Sequence, residues 1–270
     1  MFLIFSDYEY RRAISLSLKF PMKILLLAAG IGQRLGDVAE NLPKCLLEFA
    51  GKTLLQRHLA ILGHFGVNEI IIITGYQSEL VEQEIDRVGH DGLISTVRNP
   101  DYRKGSIISM LLGLQALANE PDFLLMDADV LYDYRILEKL LNSRHRNCFL
   151  LDRNFEAGEE PVKLCVRDGQ LIEFRKKIDG NLKFDFQGES VGFFRFDNAT
   201  ADKLIQSANT YLDRGEDTQP YEECIRDLLL LDPDSFGFED ITGFKWIEID
   251  FPEDISKANT VILPRILQLN

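Results

Sequence analysis

The sequence predicts an α/β fold: a mostly parallel, twisted sheet flanked by helices, with a small antiparallel subregion. Three observations carry this. Apolar runs alternate with helical periodicity through the first half. Those runs are apolar on both faces, as strands are when helices cover both sides of a parallel sheet. After Asp129 the strands shorten and carry hairpin signals.

The elements follow in order. "KILLLAA" from Lys23 reads as a buried strand, "LLQRHLAILGHFG" from Leu54 as a helix closed by Gly66, and "EIIIITG" from Glu69 as the next strand. "SELVEQEIDRV" reads as a helix capped by Ser78, "LISTVRN" as a strand and "SIISMLLGLQALA" as a helix with its apolar face inward. "DFLLMDADV" supplies a fourth strand. Then come "VKLCV", a turn at Asp168-Gly169, "LIEFR" and "SVGFFRF", helices from near Ala199 and Tyr221, the strand "KWIEID" and a helix from Pro252. No linker, low-complexity tract or repeat interrupts the chain, so one Rossmann-like domain is expected.

The chain has 270 residues, enough for a sizeable core, and 46% of them are apolar. Its net charge of −13 argues against broad attraction to nucleic acid, so an anionic ligand must be met by a local basic site. Cys45, Cys148, Cys165 and Cys224 lie far apart without metal-ligand spacing and read as reduced, mostly buried thiols of a cytoplasmic protein. His58, His64, His90 and His145 also stand alone and are expected on helix surfaces or loops. Residues 1–21 do not form a signal peptide, since Asp7 and Glu9 interrupt the apolar start. They read as an extension, with Met22 as the natural beginning. No apolar stretch of about 18 residues exists, so no membrane span is expected.

"LLLAAGIGQRLG", from Leu25 to Gly36, places three glycines and Arg34 directly after the first strand. In open parallel sheets ligands sit outside the carboxyl ends of the strands, and glycines there let backbone N–H groups approach phosphate oxygens. The spacing is one residue longer than a dinucleotide fingerprint, and no GK[ST] follows to make a P-loop. Pro43-Lys44 does follow, so Arg34 and Lys44 put two cations beside the amide cradle, which suits a triphosphate. A tight turn with surface cations is the plainer alternative.

Asp127 and Asp129 stand at i and i+2 near a strand end, where both would face one way. Such a pair repels itself unless a cation sits nearby, and Mg²⁺ fits because it takes carboxylate and phosphate oxygens. In "FKWIEIDFPED", Trp246, Glu248 and Asp250 would share one face while Ile247, Ile249 and Phe251 bury the other. These acids could instead cap the helices that follow their strands.

"LAAGIGQRLG" followed by "LPKCLLEFAGKTLL" resembles the nucleotidyltransferases that join a nucleoside triphosphate to a sugar phosphate or alcohol phosphate. The resemblance runs over most of the chain from Met22 and implies one domain, 22–270, of the nucleotide-diphospho-sugar transferase type. It implies that Leu27, Ala28, Ala29, Gly30 and Gly32 wrap the nucleotide, with Gly75 and Tyr76 beside them, and that Arg34 and Lys44 hold phosphates. It also implies Mg²⁺ on Asp129 and Asp250, with Arg34, Lys44, Asp129 and Lys177 catalytic. "VRNPDYRKGSIISMLLGL" is similar to the CTP-using phosphocholine, inositol phosphate and aminoethylphosphonate enzymes, which brings in Asn99, Gly105, Ser106 and Ser109. Gly105 and Ser106 stand where many relatives have Thr-Asn.

For the acceptor, Glu189, Tyr221 and Glu222 could meet an alcohol or amine end, with the Tyr221 ring offered to a cationic head group. Lys163, Arg175, Lys176 and Lys177 could meet its phosphate, with Asp127 and Trp246 expected beside them. Each could instead be a solvated charge or a packed ring. The expected partners are CTP and a small phosphorylated acceptor, with no nucleic acid, no membrane and room for a homodimer. A sugar-1-phosphate enzyme using UTP, dTTP or GTP is the runner-up.

Overall fold

A computed structural model describes residues 22–39, 42–67, 69–89, 93–117, 122–156 and 158–267. Residues 1–21, expected as an extension, lie outside the described residues, as does His90.

Strand β1 (Lys23–Ala28) buries Leu25 on one face and Ile24 and Leu26 on the other, as a central strand covered on both sides must. The two-residue strands β2 (Glu48–Phe49) and β3 (Lys52–Thr53) form a hairpin leading into helix α1 (Leu54–His64), which Thr53 and Gln56 close with a capping box. Strand β4 (Glu69–Thr74), helix α2 (Ser78–Val88), strand β5 (Ile94–Arg98), helix α3 (Ser106–Leu117) and strand β6 (Phe123–Asp127) continue the alternation. Strands β6, β1, β4 and β5 lie side by side in that order, all parallel. Gly66, with φ 71°, ends α1 as expected. Ser78 is not a cap: α2 begins at Ser78 itself, and Gln77 precedes it in the left-handed region without a side-chain cap.

The apparent fourth strand divides. β6 ends at Asp127, Ala128-Asp129 form a turn, and β7 (Val130–Tyr132) leaves the main sheet. Helix α4 (Tyr134–Leu141) and strand β8 (Asn147–Asp152) follow; neither was expected. Every residue of β8 is buried, so it lacks the alternation that marks an ordinary strand. Strands β9 (Lys163–Arg167) and β10 (Gln170–Arg175) form the expected hairpin, with Asp168 and Gly169 both at positive φ, as a two-residue turn requires.

The antiparallel part is continuous with the parallel part, because the eleven-residue strand β11 (Phe186–Phe196) pairs with β9 at one end and with β6 at the other. Its outer flank pairs with β8, whose register shifts between Ser190 and Phe194, where Gly192 has φ 78°.

Helices α5 (Asn198–Asp213) and α6 (Tyr221–Leu231) match the expectation. An unforeseen strand β12 (Phe236–Asp240) pairs parallel with β8, β13 (Trp246–Glu248) pairs with β7, and α7 (Pro252–Lys257) follows. One face of the sheet packs against α1, α2 and α4, and the other against α3, α5 and α6. A third apolar cluster, including Leu35, Phe49, Leu131 and Ile249, seats the β7–β13 ribbon on the glycine loop. Among the described residues no helix is long and apolar enough to cross a membrane. All four cysteines are free and buried.

His58 is neither on a helix surface nor in a loop. It is fully buried, with Tyr132 and Phe193 rings 5.2 and 5.9 Å away. Burial pushes its pKa down to about 3, with the backbone of Val130 and Ala128 opposing the shift. Between about pH 3 and 6.5 the unfolded chain therefore binds a proton here that the folded chain does not. Stability rises with pH across that window and is lost as pH falls, by about 1.4 kcal/mol per pH unit from this residue. In urea unfolding at several pH values, His58→Phe should flatten the slope by about that amount; an unchanged slope would show that His58 is not its source.

Candidate active site

The glycine loop begins where β1 ends. The space where a Gly30 Cβ would lie is open, so its backbone faces the cleft bare, while Gly32 and Gly36 take φ 68° and 55°. At Gly32 a Cβ would sit 3.0 Å from Lys44 Cγ, so glycine here lets the lysine cross the loop. No α-helix follows; short 3₁₀ turns over Gln33–Ala39 carry the chain onward, so loop amides rather than an α-helix end face the cleft. The Tyr76 amide donates to Ala29 O at 3.1 Å, and a Gly75 Cβ would strike Tyr102 Cβ at 2.6 Å, so these two brace the loop from behind. The cleft has a volume of about 470 Å³ and is lined by Ala28, Gly30, Gly32, Arg34, Lys44, Tyr102, Arg103 and Asp129, among others.

The opposite wall is acidic. Pairing of Glu248 with Val130, and an Ile249 amide donating to Asp129 O at 3.0 Å, hold the tips of β7 and β13 together. Carboxylate oxygens of Asp129, Glu248 and Asp250 consequently lie within 4.8 Å of one another. Lys44 Nζ donates to Asp129 Oδ2 at 2.8 Å and also to Asp250 Oδ1. Arg34 donates to Asp250 Oδ2 and to Glu160 Oε2, each at 2.7 Å, and its guanidinium lies 4.9 Å from the Phe251 ring centre.

Burial opposes the charge on Lys44, yet Asp129 and Asp250 outweigh it and hold its pKa above the usual lysine range. Glu248 loses hydration to the protein around it, and with Asp129 and Asp250 nearby its pKa is pushed well up. Three hard oxygen ligands left under-neutralised by one lysine and one arginine fit a divalent cation, which Asp129, Glu248 and Asp250 would hold. Glu248 was read from the sequence as a face-mate, not as a ligand.

Other expected residues fall elsewhere. Asp127, at the end of β6, shares no partner with Asp129: its Oδ2 accepts from Tyr221 OH at 2.6 Å, and burial foremost, then Asp129, raises its pKa. Tyr221 is itself buried, edge-on to Phe194, so its face is not presented to a ligand. Asn99 and Ser109 satisfy each other inside the protein at 2.9 Å, and Asn99 Oδ1 accepts from the Asp101 amide, which shapes the turn that carries Tyr102 and Arg103 into the cleft. Gly105 lies against the 218–219 backbone, where a Cβ would be 2.0 Å from Gln219 O, and Ser106 Oγ accepts from the Tyr221 amide. These four residues build the cleft from behind rather than line it.

Lys163 Nζ donates to the carbonyls of Pro161 and Lys176, at 3.1 and 2.7 Å. This fixes the chain where it leaves β10 and turns Lys176 toward Glu160, at 3.1 Å. Lys177, expected to be catalytic, is exposed and has no hydrogen bond or ion pair among the described residues. Spacing along the sequence could not separate adjacent lysines at a bend. Glu189 and Trp246 line a second hollow of about 540 Å³ that shares Glu248 and Asp250 with the acidic wall.

A bare amide turn facing strand-tip acids, with mobile-chain cations between, defines a transferase of the nucleotide-handling α/β class. The chain belongs to the MobA-like NTP transferase domain family, which matches residues 24–177. It is 22% identical over 253 residues to a CTP:phosphoglutamine cytidylyltransferase of Campylobacter jejuni, covering 87% of this chain and 98% of that protein. It is 27% identical over 244 residues to a CMP-5'-(3-aminopropyl)phosphonate synthase of Streptomyces rubellomurinus, covering 88% of this chain but only 38% of that longer protein. The structure of an inositol-1-phosphate CTP transferase from T. maritima has the same fold, with a TM-score of 0.71 at 18% identity, covering 92% of this chain and 98% of that one.

Two outcomes are expected. Lys44→Met should tighten Mn²⁺ binding without nucleotide by at least about tenfold, because it removes the internal counter-ion of Asp129 and Asp250. Electron paramagnetic resonance of free Mn²⁺ reads this directly, and equal affinity would show that Lys44 does not compete for the acids. Lys176→Ala should lower kcat/KM for pyrophosphate release by about tenfold or more, while Lys177→Ala stays within about twofold; the reverse ranking would restore Lys177.

Proposed function

We propose that this transferase joins CTP to a small acceptor carrying a phosphate or phosphonate, such as phosphocholine, aminoethylphosphonate or inositol phosphate, and releases pyrophosphate. The observation that carries the reading is Lys44, set between the glycine loop and the Asp129–Asp250 pair. CTP is favoured because two of the relatives named above carry it in their names and the third makes a CMP-linked product. The free, buried cysteines support a cytoplasmic enzyme.

The chemistry asks little proton movement of the protein. An acceptor phosphate, with its second pKa about 6, is mostly ionised at neutral pH and attacks without a general base. Its oxygen bonds to the α-phosphorus while the bond from that phosphorus to the α–β bridging oxygen breaks, and the electron pair leaves with pyrophosphate. Lys44 and Arg34 exchange their carboxylate partners for phosphate oxygens and stabilise the charge that develops there. Loop amides at Gly30 and Gly32 orient the polyphosphate, and Lys176 meets the acceptor's anionic end. Asp129 and Asp250, with Glu248, would hold Mg²⁺, which when bound would supply charge neutralisation for the phosphates.

Pyrophosphate release measured with CTP, UTP, dTTP and GTP against these acceptors and hexose 1-phosphates tests the reading. CTP should give the highest kcat/KM; a preference for UTP, dTTP or GTP with a sugar phosphate would establish the runner-up instead. Asp129→Ala should abolish release with its circular dichroism unchanged. Retained turnover in that variant would refute the catalytic assignment.

A further inference from the structure

We propose, resting on the transferase reading above, that the acceptor carries a primary ammonium group at the end remote from its phosphorus, and that Glu189 receives it in the second hollow. Because Lys176, which meets the acceptor's anionic end, bonds Glu160 in the wall of that hollow, an acceptor can hold its anionic end at Lys176 and extend its other end into the hollow. Glu189 stands between Asp152, directly across on β8, and Lys163, directly across on β9, so a like charge and a cation flank it. Asp152 is already supplied: its Oδ2 accepts from Trp246 Nε1 at 2.9 Å, and its Oδ1 from the Asn154 amide at 2.8 Å. Glu189 accepts no side-chain hydrogen bond and joins no ion pair among the described residues.

The nearby cations are engaged elsewhere, Lys163 on two backbone carbonyls and Lys257 on Glu156 at 2.7 Å. Burial, then Asp152, pushes the Glu189 pKa up to about 7, which marks a carboxylate short of positive charge. A second, separate carboxylate is in the same condition. Glu222 Oε2 is sealed from solvent with no hydrogen-bond partner among the described residues, and its electrostatic neighbours include Lys176 and Asp129. Lys176 in turn bonds Glu160 in the wall of the hollow.

A primary ammonium answers this with charge and three N–H donors, where a hydroxyl offers one donor and no charge. A trimethylammonium group has no N–H and is held mainly by aromatic faces. Of the four aromatic rings lining the hollow, Phe251 lies under Arg34 at 4.9 Å and Phe244 under Arg135 at 4.7 Å, while Trp246 is tied by its Nε1 to Asp152, and Phe155 has no cation over its ring among the described residues.

The test compares 2-aminoethyl phosphate and 2-aminoethylphosphonate with 2-hydroxyethylphosphonate and choline phosphate, using CTP and pyrophosphate release by the whole chain. The amino acceptors should exceed the other two by about tenfold or more in kcat/KM. Glu189→Gln should raise KM for the amino acceptors about ten- to hundredfold, with KM for CTP as the internal reference and the thermal midpoint confirming a folded variant. Equal turnover of the hydroxy or trimethylammonium acceptor, or an unchanged amino-acceptor KM in folded Glu189→Gln, overturns the inference and leaves the transferase reading standing. Absence of pyrophosphate release with every nucleotide and acceptor overturns both.

Discussion

The pairing of β7 with β13 is the constraint on which the site depends. Three residues on each strand bring Asp129 beside Glu248 and Asp250, which lie more than a hundred residues away in sequence. That ribbon belongs to neither half of the main sheet. It is held by its own apolar cluster, in which Leu131, Ile247 and Ile249 pack against Leu35 of the glycine loop and Phe49. The same buried side chains therefore set the distance between the amide cradle and the acids. Lys44 spans that distance, so its two carboxylate bonds report how closely the two walls are matched.

Electrostatics follow from this placement. Bringing Asp127, Asp129, Glu222, Glu248 and Asp250 into one region leaves several carboxylates with raised pKa values. Repulsion of that kind is tolerated only where the fold is strongly determined elsewhere, and the two large apolar clusters on either face of the sheet provide that determination. Arg34, Lys44 and Lys176 temper the field from the cradle side. The chain as a whole is acidic, so these few cations define where a polyanion can approach.

Much of the fold was legible because local signals agreed with one another. β1, β4 and β5 are bounded by turn residues, and the Asp168-Gly169 hairpin announces itself by its dipeptide. β8 and β12 were missed because a strand buried along its whole length, or a short one tied to it in parallel, lacks the alternation that distinguishes strand from core segment. In the site, Gly30, Gly32, Arg34, Lys44, Asp129 and Asp250 could be read from spacing and resemblance, and the fold brings them together.

Asn99, Gly105, Ser106 and Ser109 could be located but not oriented, because whether a polar side chain faces a ligand or a neighbouring turn is decided by tertiary contacts such as Asn99–Ser109. The same holds for Tyr221, whose hydroxyl is spent on Asp127, and for the choice between Lys176 and Lys177.

One strand, β11, links the second hollow to the main sheet. Its first residues carry Glu189 and pair with β9, its last pair with β6, and the irregularity around Gly192 lies between. Between Ser190 and Phe194 strand β11 advances four residues against two of β8, so the pairing on either side of that point is set separately. Sequence divergence at the outer end can thus reshape the wall of the second hollow while the strand's other end keeps its pairing with β6.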